Sequence, residues 1–306
     1  MDDVHSWLAA EIPEFRDASI RPFGVGWDNL AFLVTRRIRT SEPAARAEEE
    51  EWVFRFPRRE VAAPILLTEL SVLPRIAPLL PLPIPIPTRR GGPTGAYPWV
   101  FAGYRKLPGT TACSANLDDL SRTRLAAGLG TFLRALHSIP TDPLREVGLP
   151  GDELSRLDLD YRLPQLEERV RVAREKGLLT TPDAVLTAAR ETTQASYTPR
   201  SDVLVHGDLY ARHILVDARA DLAGVIDWGD VHAGDAAQDL GLVAGFLPRS
   251  ARREFMATYG SVSDDAWAFA RLRALLLAVA ILLYGADVGD EALVHEGRIG
   301  LSNALS

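Results

Sequence analysis

The segment from Val203 to Asp239 constrains this chain more than any other. Three short apolar runs, Val203-Leu204-Val205, Ile214-Leu215-Val216 and Ala223-Gly224-Val225-Ile226, alternate with polar groups. His206-Gly207-Asp208 follows the first run, and Asp227-Trp228-Gly229-Asp230 follows the third. Runs this short and this apolar read as buried strands. Buried strands hold their ends rigidly, so side chains at those ends can be aimed closely. Three carboxylates, Asp208, Asp227 and Asp230, then converge on one small region. Crowded carboxylates repel and persist only with a cation or a shared proton. Hard oxygen donors favour Mg²⁺, which takes few protein ligands and completes its shell with phosphate oxygens. A phosphorylated nucleotide with Mg²⁺ is the natural occupant.

The same segment follows the plan of a phosphoryl-transfer centre: His-x-Asp, four residues, a metal ligand, then a later Asp-x-Gly that holds metal. Here His206-x-Asp208 is followed by four residues and His213, and Asp227-Trp228-Gly229 comes after one more hairpin. In that plan Asp208 accepts the proton of a substrate hydroxyl. Asp227, with His213, binds Mg²⁺, and His206 buttresses the loop. Asp230 and Asp235 are candidates for contact with the acceptor, although Asp235 and Asp239 equally suit the cap of a following helix. The bland alternative for His206–Asp208 is a capped turn. A second polar strand end at Asp227 argues against it.

Composition narrows the classes. The chain has 306 residues, long for one core and suited to two lobes. Apolar residues make up 47% and charged residues 25%, which excludes wholesale disorder. The net charge of −7 argues against sequence-blind nucleic-acid binding, which needs a basic face, and is compatible with a cationic small acceptor. A single cysteine, Cys113, excludes an intrachain disulfide and a multi-cysteine zinc site, and points to a cytoplasmic setting. The acidic start, Met1-Asp2-Asp3-Val4-His5, carries no signal-peptide pattern. The longest apolar run, Ala274 to Tyr284, is too short by itself to cross a bilayer and reads as a buried helix.

Along the chain, the first hundred residues are strand-rich. Ile20–Phe23 and Leu30–Ile38 flank Gly24-Val25-Gly26-Trp27-Asp28-Asn29, which predicts a hairpin. Arg46–Glu51 reads as a charged surface loop, Trp52–Phe56 as a strand, and Ile65–Leu73 as a helix carrying Glu69. Pro81, Pro83, Pro85 and Pro87 alternate with apolar residues, giving an extended connector or sheet edge. Trp99–Phe101 reads as another strand, leading into a glycine-flanked segment without a strong period. The boundary is placed there, giving an N-terminal lobe over 1–103 and a C-terminal lobe over 104–306. In the second part, Leu125, Leu129, Phe132, Leu133 and Leu136 form one helical stripe ending near His137. Leu163–Lys176 and Pro182–Thr192 predict two further helices, and the tail from Arg249 is helical. Asp158, Asp160, Glu167 and Glu168 read as a wet helix face.

These residues resemble the aminoglycoside phosphotransferase-like family of small-molecule kinases, which includes macrolide phosphotransferases. The resemblance rests on Gly24–Asn29, Phe54-Arg55-Phe56-Pro57-Arg58, Glu69, Tyr97-Pro98-Trp99, Leu136-His137 and the run from His206 to Asp239, in family order over about 20–245. It implies an α+β, bilobal protein-kinase-like fold: an N-terminal antiparallel sheet with one main helix, and a larger, mostly helical C-terminal lobe. It further implies that nucleotide binds between the lobes and that the γ-phosphate of ATP or GTP passes to a hydroxyl of an aminoglycoside, macrolide or similar metabolite. Residue by residue, Gly24, Gly26 and Asn29 would cover the phosphates, Arg55 with Glu69 would hold them, and Tyr104 and Leu107 would line the base pocket. The chain departs from the family pattern at three places. His213 stands where asparagine is usual, Arg55 where lysine is usual, and Asn29 where a third glycine is usual.

Competing readings are a non-catalytic nucleotide-binding module and a metal-dependent phosphoesterase. The latter needs more clustered ligands than this sequence supplies. Arg55 could instead pair with Glu51 on the strand surface. No Walker A lysine motif, Gly-x-Ser-x-Gly elbow or His-Glu-x-x-His is present. The expected partner is a small hydroxylated acceptor, with neither nucleic acid nor membrane, and the expected state is monomer or homodimer.

Overall fold

The computed structural model describes residues 2–26, 28–38, 48–95 and 97–306. Trp27 of the glycine-containing turn and Arg46 of the expected loop lie outside the described residues. The chain divides into two compact units: Met1–Pro78 with Ile84–Leu107, and Leu79–Pro83 with Pro108–Ser306. The expected boundary at residue 103 falls inside a strand, Phe101–Arg105, which pairs with its neighbours and keeps the chain in the first unit as far as Leu107.

The first unit is built on a five-stranded antiparallel sheet. Its strands are β1 (Ser19–Val25), β2 (Asn29–Ile38), β3 (Glu48–Pro57), β4 (Arg89–Gly91) and β5 (Phe101–Arg105), in the spatial order β1-β2-β3-β5-β4. The helix α2 (Ala62–Ile76) carries the buried Glu69, and an N-terminal helix α1 (Asp2–Glu11), not anticipated from the sequence, adds Val4 and Leu8 to the core. That core is aromatic. Phe15 meets Trp52 and Phe54 edge-on, at centroid distances of 5.4 and 5.0 Å, and Phe56 stacks on Phe101 at 4.6 Å.

Two sequence expectations fail in this unit, for physical reasons. Glu48–Glu51 is not a loop but the start of β3, in register with Thr35–Ile38 of β2. Arg36 meets Glu50 at 2.6 Å and Arg37 meets Glu49 at 3.4 Å, so cross-strand opposite charge stabilises a strand whose own composition does not suggest one. The strand expected at Trp99 starts only at Phe101 and continues through Gly103 and Tyr104. At Gly103 a Cβ would come within 2.5 Å of the Phe54 ring, so the glycine there serves close packing inside a strand.

The second unit is mostly helical: α3 (Asp119–His137), α4 (Asp142–Arg145), α5 (Leu159–Glu175), α6 (Pro182–Glu191), α7 (Ala237–Phe246), α8 (Arg252–Tyr259), α9 (Asp264–Val288) and α10 (Glu291–Ala304). Asp118 caps α3 by accepting from Ser121 N–H at 2.8 Å, and Asp158 caps α5 through Asp160 N–H, which starts that helix earlier than the periodicity indicates. Leu166, Val170, Val185, Leu275, Val279, Leu282 and Leu301 form the main helical core. The apolar run Ala274–Tyr284 is the middle of the 25-residue α9, which is long and apolar enough to cross a membrane by length and composition, as is Ala62–Leu79. In this fold α9 packs on α7 and α10, with Leu272, Leu275 and Leu282 fully buried. Buried within the unit, Arg122 of α3 forms a two-point pair with Glu296 of α10, at 2.8 and 2.6 Å.

The strands around the predicted centre are β6 (Thr110–Thr111), β7 (Val203–Val205), β8 (Ile214–Val216), β9 (Leu222–Val225) and β10 (His232–Gly234). They form two small sheets rather than one group: β6-β8-β9 and β10-β7. The partner of β7 is therefore β10, a three-residue strand too short to show a period in the sequence.

Candidate active site

In the second unit, β7 delivers His206, Gly207 and Asp208 at its end. The turn they form is held from inside. Asp239, at the start of α7 and fully buried, accepts His206 N–H at 2.8 Å and Gly207 N–H at 3.0 Å. Gly207 has φ +84, and a Cβ there would lie 2.4 Å from the Asp230 carbonyl oxygen, so only glycine fits. The His137 ring, at the end of α3, reaches Asp239 at 3.2 Å through Nε2 and the Tyr259 hydroxyl at 2.9 Å through Nδ1. Burial alone would raise the Asp239 pKa. The His137 ring, His206 and the backbone donors outweigh it and hold the carboxyl below its ordinary value.

His206 points inward from the turn. Its ring is buried against Trp228, at a centroid distance of 4.7 Å, and its Nε2 donates to the Ile226 carbonyl at 3.0 Å. Burial pushes its pKa down, so the ring is neutral, and its Nδ1 is left to accept from Asp208 N–H at 3.4 Å. The turn is thereby tied to the strand end that carries Asp227.

Asp208 points its carboxylate outward, with the side chain 32% exposed. One oxygen lies 3.4 Å from the Arg273 guanidinium on α9, and the other lies 4.0 Å from His213 Nδ1. His213 ends a short 3₁₀ turn, Ala211–His213. Its Nδ1 donates to the Asp208 carbonyl oxygen at 2.7 Å, and its Nε2 faces an Asp227 carboxylate oxygen at 3.3 Å. Burial opposes a charge on this ring, but Asp227 and Asp208 outweigh it and raise its pKa. Asp227 is 52% exposed and sits at φ +64, a left-handed conformation that aspartate tolerates better than most residues. The structure thus brings His206, Asp208, His213 and Asp227 together.

The other two acidic candidates are occupied. Asp230 forms an ion pair with Arg156, which also holds Asp152 at 2.8 Å. Asp235 is buried, with its carboxylate taken up by the Tyr197 hydroxyl at 2.8 Å, Arg200 N–H at 2.6 Å and Ala237 N–H at 2.8 Å. It braces the entry to α7, so the expectation of substrate contact gives way to the capping alternative. Sequence reasoning missed Arg273, which lies inside an otherwise apolar helical stretch. Arg271 stands two residues before it on the same helix, so no local pattern singles it out. The reading also gave Asp239 too little weight.

In the first unit, Arg55 of β3 and Glu69 of α2 form a close pair. One guanidinium nitrogen lies 2.8 and 2.6 Å from the two carboxylate oxygens, and both side chains are largely buried. The alternative pairing of Arg55 with Glu51 is not adopted, since Glu51 pairs with Lys106 at 2.7 Å. The β1–β2 turn closes with Gly26 N–H on the Asn29 carbonyl at 2.9 Å. Arg58 and Arg59 hold this turn through the Gly26 carbonyl at 3.1 Å and the Asp28 carboxylate at 2.9 Å. A Cβ at Gly24 would meet nothing within 4 Å, so packing does not explain that glycine. Among the described residues, the buried side-chain oxygen of Asn29 has no hydrogen-bond partner. Tyr104 lies on β5, beside β3, and Leu107 follows that strand.

Among the described residues, no group of three or more His, Cys, Asp or Glu side chains forms a metal cage. Mg²⁺ with a phosphate-bearing partner calls for only one or two carboxylates, and Asp227 is one, with the His213 ring beside it. The Nδ1 bond to the Asp208 carbonyl turns Nε2 toward Asp227; release of the Nε2 proton would free its lone pair beside that carboxylate for a divalent ion.

A five-stranded antiparallel unit with one main helix, joined to a helical unit bearing this turn, defines the kinase-like α+β architecture of phosphotransferases. The phosphotransferase enzyme family model matches residues 19–275, and the chain belongs to that family. Its fold is similar to that of the GDP and kanamycin complex of APH(2'')-IIIa, with a TM-score of 0.67 at 24% identity, covering 99% of this chain and 98% of the other. It also resembles the apoenzyme of macrolide 2'-phosphotransferase MphH from Brachybacterium faecium, with a TM-score of 0.61 at 21% identity, covering 98% and 97%. A streptomycin–ATP–APH(2'')-IIa ternary complex matches with a TM-score of 0.56 at 19% identity, covering 99% and 95%. The uncharacterized protein YcbJ of Bacillus subtilis (strain 168) is 28% identical over 151 residues, 49% of this chain. That match spans 46% of YcbJ, so the chain covers about half the length of this relative.

Proposed function

We propose that this phosphotransferase passes the γ-phosphate of ATP or GTP to a hydroxyl of a small molecule, an aminoglycoside, a macrolide or a similar metabolite. One observation carries the reading: Asp208 and Asp227, each just past the end of a short buried strand, are linked through a single histidine, His213, which bonds the Asp208 carbonyl and faces the Asp227 carboxylate. Asp208 receives the proton of the acceptor hydroxyl and orients its oxygen. Its partial exposure leaves it accessible, and Arg273 lies 3.4 Å from one of its oxygens. Asp227 and His213 Nε2 would hold Mg²⁺, which supplies charge neutralisation at the phosphate oxygens. Arg55, aligned by Glu69, binds phosphate, and the Gly24–Asn29 loop covers it. Positioning and fixed charge account for most of the rate, since the chain contributes no covalent intermediate.

Incubation with γ-labelled ATP or GTP, Mg²⁺ and a panel of hydroxylated amines, macrolides and sugars tests this reading. Label on an acceptor with the wild-type chain, and none with Asp208→Ala, supports it. Thermal stabilisation by nucleotide without transfer to any acceptor or to water would favour a non-catalytic nucleotide-binding module.

A further inference from the structure

Arg273 has the surroundings of a group kept at a cost. It is one of the few charged residues in the apolar middle of α9 and is only 8% exposed. Its Nη2 donates to the Gly207 carbonyl oxygen at 3.0 Å and meets Asp208 at 3.4 Å, while its buried Nε has no partner. The carboxylate it reaches is one-third exposed, so the pair is neither short nor fully enclosed. Burial draws its pKa down against the opposing charges of Asp208 and Asp230, and Arg156 and Arg162 add two more positive charges nearby. A buried guanidinium with an unpaired nitrogen and like-charged neighbours costs more desolvation than a single long ion pair returns.

The path of the side chain is also prepared. At Gly241 of α7, a Cβ would come within 2.8 Å of Arg273 Cγ and 3.1 Å of its Cβ. Those atoms lie at the root of the side chain and cannot swing aside cheaply. A second helix therefore gives up a side chain where Arg273 passes.

We infer that Arg273 is a positioning residue that sets the Gly207–Asp208 turn, and with it the direction of the Asp208 carboxylate, by holding the Gly207 carbonyl and the carboxylate from one guanidinium. The inference rests on the reading of Asp208 as the hydroxyl-orienting group. It differs from a stability role in a measurable way. Replacing a buried, poorly paired charge with an apolar residue of similar length leaves stability unchanged or raises it. Misplacing Asp208 lowers turnover.

The test measures nucleotide turnover, to water or to any acceptor, together with thermal unfolding, for the full chain and for Arg273→Met, Arg273→Lys and Gly241→Ala. For Arg273→Met, kcat is expected to fall roughly 10- to 100-fold, with the nucleotide KM within about twofold of wild type. Its unfolding temperature should be equal or higher. Arg273→Lys, which keeps a donor and a charge, should recover part of kcat. Gly241→Ala, which displaces the arginine without removing it, should lower kcat in the same direction. An Arg273→Met chain that turns over like wild type, or that loses its fold, overturns the inference. A lysine variant no better than methionine does so too. A wild-type chain that binds nucleotide but never turns it over defeats the kinase reading and this inference with it, a result distinct from an arginine variant that is merely unimpaired.

Discussion

Asp239 accepts the backbone N–H groups of two consecutive residues, His206 and Gly207, at 2.8 and 3.0 Å, from a position with no solvent exposure. The orientation of Asp208 therefore depends on a carboxylate more than thirty residues further along the chain. Asp239→Ala would leave two buried donors and the His137 ring unsatisfied. It is expected to lower unfolding free energy by about 2–4 kcal/mol, measured by urea denaturation. Stability within about 0.5 kcal/mol of wild type would show that water replaces the carboxylate.

Asp208→Ala should leave nucleotide affinity near that of wild type and cut turnover by on the order of 10²–10⁴. Binding measured by calorimetry and transfer measured with labelled nucleotide separate the two quantities. A parallel loss of both would place Asp208 in nucleotide binding instead.

Asp227 combines exposure, a left-handed backbone and a proposed cation-binding role. Asp227→Gly removes the backbone penalty and the carboxylate together, so it should hold or raise stability by up to about 1 kcal/mol while abolishing transfer. Asp227→Asn keeps the backbone preference and removes only the charge. Mg²⁺ titration of the nucleotide complex should show weaker metal dependence in both variants, and undiminished Mg²⁺ affinity would assign the cation elsewhere.

Arg55 and Glu69 are buried together. Glu69→Ala leaves the arginine without its principal carboxylate and is expected to cost about 3 kcal/mol or more of stability, together with weaker nucleotide binding. Arg55→Lys keeps charge but loses the planar fork, so nucleotide affinity should fall with little change in folding. Isothermal titration with ATP and GTP decides both.

His232 is buried, and burial pushes its pKa below the ordinary histidine value. Its folded form thus binds fewer protons than the unfolded chain once the pH drops below about 6.5. Stability from this residue is fully present above that pH and is lost as the pH falls through the unfolded value, with a limiting slope of about 1.4 kcal/mol per pH unit. His213, with a raised pKa, acts in the opposite sense, so the difference between wild type and His232→Gln is the quantity to measure. Parallel stability curves from pH 7 to 5 would mean that His232 is protonated in the fold.

The strand ends carrying His206, Asp208 and Asp227 could be read from the sequence because buried strands leave apolar triplets, and the chemistry follows each triplet directly. The helix of Leu125–Leu136 was legible from its stripe, and Glu69 from its place on α2. What stayed hidden depended on partners far along the chain. Glu48–Glu51 becomes a strand only because Arg36 and Arg37 lie across from it. β10 has no period to display in three residues, although it, and not β8, completes the sheet with β7. Asp230 and Asp235 have the right residue type in the right segment, yet Arg156 and Tyr197 occupy them. Arg273 is silent in any local window, because its meaning lies in a carbonyl sixty-six residues away.

His137, His206, Asp208, His213, Asp227, Asp239 and Arg273 all belong to the same compact unit. The proposed hydroxyl-orienting group and the residues described around it thus come from one unit. On the proposed reading, substitutions confined to the five-stranded unit leave these supports of Asp208 in place.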